Sequence, residues 1–285
     1  MAWRRWCAAF LVAAGLAGAT MVSATMFSAT AAGADDPAPR RVVSMNLCTD
    51  QLAMILASPG QLVAISPIAR DRVASAMWRA AASVSVHAGN AESILALDPD
   101  LVLAGEWDPS ATIAMLRRLG IRVETFPIER SFADIEANVL RMGALLGTSR
   151  DARRLAAGIR ARLADIPPPS GPRPRAAIYY ANGYTSGSGT LADAILKAAG
   201  YANIAAERGL SGLASLPLEI LVTEQPDLIV LGQDYPSPAL AEGILRHPAL
   251  RALDAGRASV ADSLWVCGTP LALDAVTALR AARPR

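Results

Sequence analysis

The stretch ESILALDPDLVLAG at residues 92–105 returns as EILVTEQPDLIVLG at residues 219–232, and this repetition constrains the fold of the 285-residue chain more than any other feature. Aligned without a gap, the two agree at Glu92/Glu219, Pro99/Pro226, Asp100/Asp227, Leu101/Leu228 and Gly105/Gly232. Each copy reads as a short helix stopped at a proline, then an aspartate, a strand of unbroken apolar residues and a glycine. A run of four or five apolar residues without alternation suits a strand buried on both faces, as in a parallel sheet covered by helices. One such unit in each half predicts two similar α/β halves.

The flanking sequence extends the plan. RRVVSMN (40–46) is a strand feeding a helix at TDQLAMILA (49–57), and QLVAIS (61–66) and DLVLAG (100–105) are further strands. A helix at 108–120 stops at glycine before a strand at IRVETFP (121–127). From Ser131 the pattern turns helical for over thirty residues, with Gly147 as a local break and Ser149 as a cap, and ends at the proline-rich run 167–174. Strands at RAAIYYAN (175–182), DLIVLG (227–232) and RASVAD (257–262) then alternate with helices at 188–200, 217–224 and 270–282. The expected organisation is an N-terminal lobe at 35–130, an interlobe helix at 131–166 and a C-terminal lobe at 167–285. The fold class is α/β: two Rossmann-like lobes with mainly parallel sheets, one long helix between them and a ligand cleft between the lobes.

Residues 1–34 stand apart. Arg4 and Arg5 precede an apolar run from Trp6 to Val22, and small residues follow with A-x-A choices ending at Ala31 or Ala34, which reads as a cleaved export signal and implies a periplasmic protein. An uncleaved anchor is the alternative, but the run is mostly Ala and Gly, short of the ~20 strongly apolar residues of a span. Without this segment the chain carries 25 basic and 25 acidic residues, so no electrostatic case for nucleic acid remains. Cys48 and Cys267 are then the only cysteines, one before the N-terminal lobe's first helix and one before the last helix. In an oxidising compartment a disulfide between them is the first expectation, with separate thiols in the cleft as the alternative.

The ordered set of LALDPDLVLAG, its echo, the opening RVVSMNLCTDQLAMIL and the long intervening helix resembles the periplasmic binding proteins of ABC importers for ferric siderophores, vitamin B12 and haem. The resemblance spans residues 40–282. It implies a metal-chelate ligand (ferric siderophore, cobalamin or haem) in the cleft and delivery to an ABC permease dimer, with one glutamate on each lobe meeting permease arginines. The motif positions fall on Glu92 and Glu219. A continuous interlobe helix further implies a small hinge motion on binding.

Ligands of open α/β sheets lie beyond the carboxyl ends of the strands. The loops there hold Trp107, Tyr184, Tyr235 and Trp265, aromatics suited to a large flat ligand. His87 can reach an iron centre or bond a chelate, and Arg70 and Arg72 can pair with anionic oxygens. These three tilt the expectation slightly towards a ferric chelate. His87 and His247 lack the spacing of a dedicated metal site, so no protein-bound metal or other cofactor is expected. TSGSGT (185–190) lacks the phosphate-loop pattern and reads as a tight strand-to-helix turn. An exported α/β enzyme or a non-transport receptor with the same cleft is the rival reading. Neither GTSRD nor SGSGT forms a G-x-S-x-G nucleophile elbow, and the protein is expected not to be an enzyme.

Overall fold

The computed structural model describes residues 37–168, 171–232 and 239–283; the export segment expected at residues 1–34 and the candidate Tyr235 lie outside the described residues. In the first lobe, β1 (Val42–Ser44), α1 (Leu47–Leu56), β2 (Leu62–Ile65), α2 (Trp78–Ala81), β3 (Ser85–Val86), α3 (Ala91–Leu95), β4 (Leu101–Gly105), α4 (Ser110–Arg118) and β5 (Val123–Phe126) follow one another. The strands form a parallel sheet in the order β3-β2-β1-β4-β5. Alternate residues feed two apolar layers. Val42, Leu101 and Leu103 pack with Leu52 and Leu56 of α1, while Val43, Val102 and Ala104 pack with Ile94 of α3 and Leu116 of α4. Both faces are covered, which explains strands apolar at every position.

The interlobe segment corrects one expectation. In place of a single helix across 131–166 there are two, α5 (Phe132–Leu146) and α6 (Ser149–Ala164). Ser131 caps α5 by accepting from the Asp134 N–H, and Gly147 stops it in the left-handed region at φ 75°, letting the Thr148 N–H close back on the Gly143 carbonyl. α6 then packs back on α5: a Cβ on Gly143 would lie 2.2 Å from that of Ala152, and Arg160 near the end of α6 pairs with Glu136 near the start of α5. The small Gly143–Ala152 contact, which periodicity alone does not disclose, makes this close approach feasible. α6 alone makes the crossing, and Arg162 pairs at 2.8 Å with Asp274 of the second lobe.

That lobe comprises β6 (Arg175–Tyr179), β7 (Tyr184–Ser186), α7 (Leu191–Ala198), β8 (Ala202–Asn203), α8 (Ile204–Glu207), β9 (Leu213–Ser215), α9 (Leu218–Glu224), β10 (Leu228–Leu231), α10 (Pro248–Arg251), β11 (Gly256–Ser259) and α11 (Ala272–Ala281). The parallel sheet β11-β10-β6-β8 repeats the first-lobe order β5-β4-β1-β2. The antiparallel pair β7-β9 has no first-lobe counterpart and replaces the simple turn expected at 185–190.

The duplicated phrase now has a physical basis. The turn after α3 and the C-cap of α9 each hold a non-glycine residue with positive φ, Asp98 at 47° and Gln225 at 46°, the same place in the two copies. An arginine at the start of the neighbouring strand closes each helix end: Arg41 donates to the carbonyls of Leu97 and Asp98, and Arg175 to that of Glu224. The repeated aspartates secure the same strands, Asp100 accepting from the Arg41 N–H at 3.0 Å and Asp227 from the Arg175 N–H at 2.6 Å. The repeated glycines admit polar side chains from across the sheet. A Cβ on Gly105 would lie 1.8 Å from Asn46 Nδ2, and one on Gly232 3.0 Å from the Asp262 carboxylate.

Candidate ligand cleft

In each lobe the strand order reverses once, between β1 and β4 and between β6 and β10, and loops diverging from such a reversal leave a crevice beyond the strand ends. In the first lobe this crevice is braced. Asn46 Oδ1 caps α1 by accepting from the N–H groups of Cys48 and Thr49, and Asn46 Nδ2 donates to Asp108, whose other oxygen accepts from the Gly105 N–H. In the second lobe Trp265 Nε1 donates to Asp262 at 3.3 Å, and the hydroxyls of Tyr180 and Ser186 lie 3.3 Å apart. Burial pushes the Tyr180 phenol up to about 12.

The two crevices meet in a cleft that includes a larger and a smaller cavity, and a further one of about 470 Å³ adjoins the larger at Tyr180 and Asp262. The larger, about 830 Å³, has Tyr180, Ser186, Thr190, Asp262 and Trp265 on the second-lobe side and Ile128 to Arg130 on the first. The smaller, about 280 Å³, is a first-lobe pocket lined by Asn46, Leu52, Trp107, Asp108 and Phe126, with Cys48 at its edge. Ile128, Glu129 and Val266 line both.

The lobes touch at this shared wall. Glu129 accepts from Asn138 Nδ2 at 2.6 Å and from the Gly268 N–H at 3.3 Å, and a Cβ on Gly268 would fall 2.3 Å from Glu129 Cγ. Burial raises the Glu129 carboxyl above its ordinary value, partly opposed by these hydrogen bonds. Beside that contact Cys48 and Cys267 are joined in a disulfide with their Cα atoms 5.0 Å apart.

The other candidates are placed unevenly. Trp265 is buried in the wall of the large cavity and Trp107 stands 77% exposed at the small one. Tyr184 is exposed on β7 and lines neither. His87 is taken out of the cleft: it is buried at the end of β3, its Nε2 lies 2.8 Å from the Ser44 carbonyl and its Nδ1 accepts from the Gly89 N–H. Arg70 donates to the carbonyls of Ala81 and Val84, and Arg72 stacks on Trp78 with 4.6 Å to the ring centroid. All three follow β2 or β3, on the β1 side of the sheet, and none lines either cavity. Glu92 and Glu219 are exposed, each the second residue of its helix, a position where the helix dipole favours a carboxylate. His247 caps α10.

Tyr180, Asp262, Ile128, Glu129 and Arg130 also line the large cavity; all but Tyr180 fall in loops the sequence reading places at the cleft, 127–131 and 262–270, though none is singled out as a residue. The signal available was position, each falling just past a strand end.

Behind the cleft wall Asp50 is fully buried and accepts from the backbone and hydroxyl of Ser66. Burial raises its pKa to about 7 against the opposing hydrogen bonds of Ser44 and Ser66. The unfolded carboxyl ionises near 3.8 while the folded one keeps its proton to about 7, so the native state binds the extra proton within that window. Stability therefore falls as pH rises from about 4 to 7 and levels off above, a change of up to about 4 kcal/mol. Asp50→Asn is expected to flatten this slope in thermal melts from pH 4 to 8; parallel wild-type and variant slopes would assign the dependence to other groups.

Two similar α/β lobes, one crossing helix and a cleft at the paired reversal points define a two-lobed binding protein. The family model described as periplasmic binding protein matches residues 42–259, and the chain belongs to that family. A cobalamin-binding protein of Halobacterium salinarum is 31% identical over 202 residues, 69% of this chain and 55% of that one. The chain thus spans about half the length of the curated relatives it matches. Among solved structures, the apo periplasmic heme-binding protein RhuT from Roseiflexus sp. RS-1 has a TM-score of 0.71 at 23% identity, covering 85% of this chain and 98% of its own. The periplasmic vitamin B12 binding protein BtuF of Vibrio cholerae has a TM-score of 0.61 at 18% identity, covering 86% and 96%. Those structural likenesses show the fold.

Proposed function

We propose that this protein is exported, captures a metal chelate whose coordination shell is already complete, a cobalamin, in the interlobe cleft, and passes it to an ABC permease dimer through Glu92 and Glu219. The observation carrying the cargo class is the chemistry of the cleft lining. Among the described residues it offers an indole wall at Trp265, a second indole at Trp107, apolar Ile128 and Val266, and hydroxyls at Tyr180, Ser186 and Ser188, but no histidine and no free thiol. Tyr180 is held as a neutral phenol by burial and shares a hydrogen bond with Ser186, so in the free protein it offers a hydroxyl. Such a lining stacks on and hydrogen-bonds to a flat chelate without completing its metal shell. Haem, with open axial positions, finds no imidazole there. His87 and Arg70, which would favour a ferric chelate, bond backbone carbonyls, Arg72 stacks on Trp78, and none of the three lines either cavity. The cobalamin-binding relative supports the corrin reading. We read the protein as a binder with no reaction of its own.

A titration of residues 35–285 followed by tryptophan fluorescence tests this, because two of the three tryptophans in that segment line the cleft. Cyanocobalamin is expected to quench saturably at micromolar or lower concentration, while haemin and a panel of ferric siderophores do not compete. Saturation by haemin or a ferric siderophore instead would overturn the cargo assignment.

A further inference from the structure

We propose that the Cys48–Cys267 disulfide sets the aperture of the cleft and is thereby a determinant of which cargo fits and how long it stays. The bond ties the first turn of α1 to the loop before α11 across 219 residues, one cysteine from each lobe. α6 is the chain connection between the lobes and shares one buried apolar cluster with both, so it already restricts their motion to a hinge. A second tie at the cleft narrows the remaining motion to rotation about the line joining the two.

The position of the bond matters as much as its existence. Val266, adjacent to Cys267, lines both cavities, and its carbonyl lies 3.8 Å from Cys48 Sγ. The disulfide therefore pins the partition between the cavities of about 830 and 280 Å³. Directly beyond it Gly268 meets Glu129 with no room for a Cβ, so the joint is closed without being held by interlocking side chains. Opening the bond frees Val266 to move with the second lobe and lets the two spaces merge. A wider cleft loses its fit to a rigid flat chelate, and affinity differences of this origin reside mainly in the dissociation rate.

The two sulfurs are unequally placed. Cys267 is buried, whereas Cys48 is half-buried and borders the small cavity. A dithiol reductant thus attacks at Cys48: its thiolate bonds to Cys48 Sγ, Cys267 leaves as a thiolate and takes a proton, and the second thiol displaces Cys48 to give a cyclic disulfide and two protein thiols, two electrons having moved. Cargo seated over the small cavity covers that approach and slows reduction; and if cargo binds the oxidised form more tightly, linkage requires that it also make the bond harder to reduce.

The retention claim rests on the cleft being the cargo site, so the test has one arm without cargo. A spin-labelled unnatural residue replaces Arg118 in α4 and another replaces Arg251 in α10, and the distance distribution between them is measured in the apo protein, oxidised and after dithiothreitol, and in Cys48→Ser/Cys267→Ser. A narrow distribution when oxidised that broadens on reduction and in the double variant is expected; equal widths would overturn the aperture role whatever the cargo is. In the second arm, cyanocobalamin is expected to dissociate at least about tenfold faster from the double variant and from reduced wild type, and to slow the reduction of wild type. Unchanged dissociation with a broadened distribution would overturn the retention role. Absence of cyanocobalamin binding to oxidised wild type, with the distance result intact, would instead count against the cargo assignment and leave the aperture role standing.

Discussion

Replacing Glu92 and Glu219 together by alanine is expected to cut cargo uptake by more than about a hundredfold while leaving cargo affinity unchanged. The two carboxylates occupy matching positions of a duplicated unit, each on the second residue of a short helix and each exposed, so the two lobes present a two-fold-like pair of charges. In the docking proposed above, a two-fold-like permease surface meets both charges at once, which one unpaired charge cannot achieve. Truncating one partner of a desolvated charge pair costs about 2–5 kcal/mol, and tenfold corresponds to about 1.4 kcal/mol, so losing both weakens docking by several decades. Neither glutamate lines the cleft cavities, which is why affinity is spared. Uptake of labelled cobalamin by cells carrying the cognate permease, beside a binding titration of each variant, measures both quantities. Undiminished uptake by the double variant would place docking elsewhere.

Removing the Cys48–Cys267 bond is expected to lower global stability by about 2–5 kcal/mol. The bond closes a loop of 219 residues, nearly the whole folded unit, so in the chain-entropy account it restricts the unfolded chain near the upper end of that range. For a protein of this size about 2–4 °C accompanies each kcal/mol, giving a midpoint lower by roughly 4–20 °C. The joint holds little else to compensate: one hydrogen bond from Gly268 to Glu129, and serines in place of cysteines add no tie. Thermal melts of wild type under oxidising and reducing conditions, with Cys48→Ser/Cys267→Ser as the reference that reductant leaves unchanged, measure the effect. Equal midpoints for all three would show that the lobes gain nothing from the bond.

The parts of the fold that were legible in the sequence are those whose signal is local. The central strands β1, β4, β6 and β10 announced themselves because burial on both faces demands apolar residues at every position, and each lobe's repeated helix-to-strand turn because Pro99 and Pro226 stop a helix. The two-residue strands β3 and β8 were too short to show a period, and the β7-β9 pair depends on partners 27–31 residues apart. Gly147 was visible as a break, but the direction of the chain beyond it is set by Gly143 against Ala152, a packing contact that no spacing rule encodes. The cleft loops were legible for the same reason as the strands, since they follow their carboxyl ends. Individual side chains were not: His87 and Arg70 carry the right chemistry in loops of the right kind, but both are turned to backbone carbonyls, of Ser44 and of Ala81 and Val84, partners that no local spacing discloses.

The most direct test of the central claim, that a complete metal chelate lies between the lobes, is a crystal structure of residues 35–285 grown with cyanocobalamin. The corrin is expected against Trp265 and Ile128, touching both lobes, with no protein atom coordinated to cobalt. Cobalamin on the outer face of one lobe, or a protein side chain displacing a cobalt ligand, would contradict it.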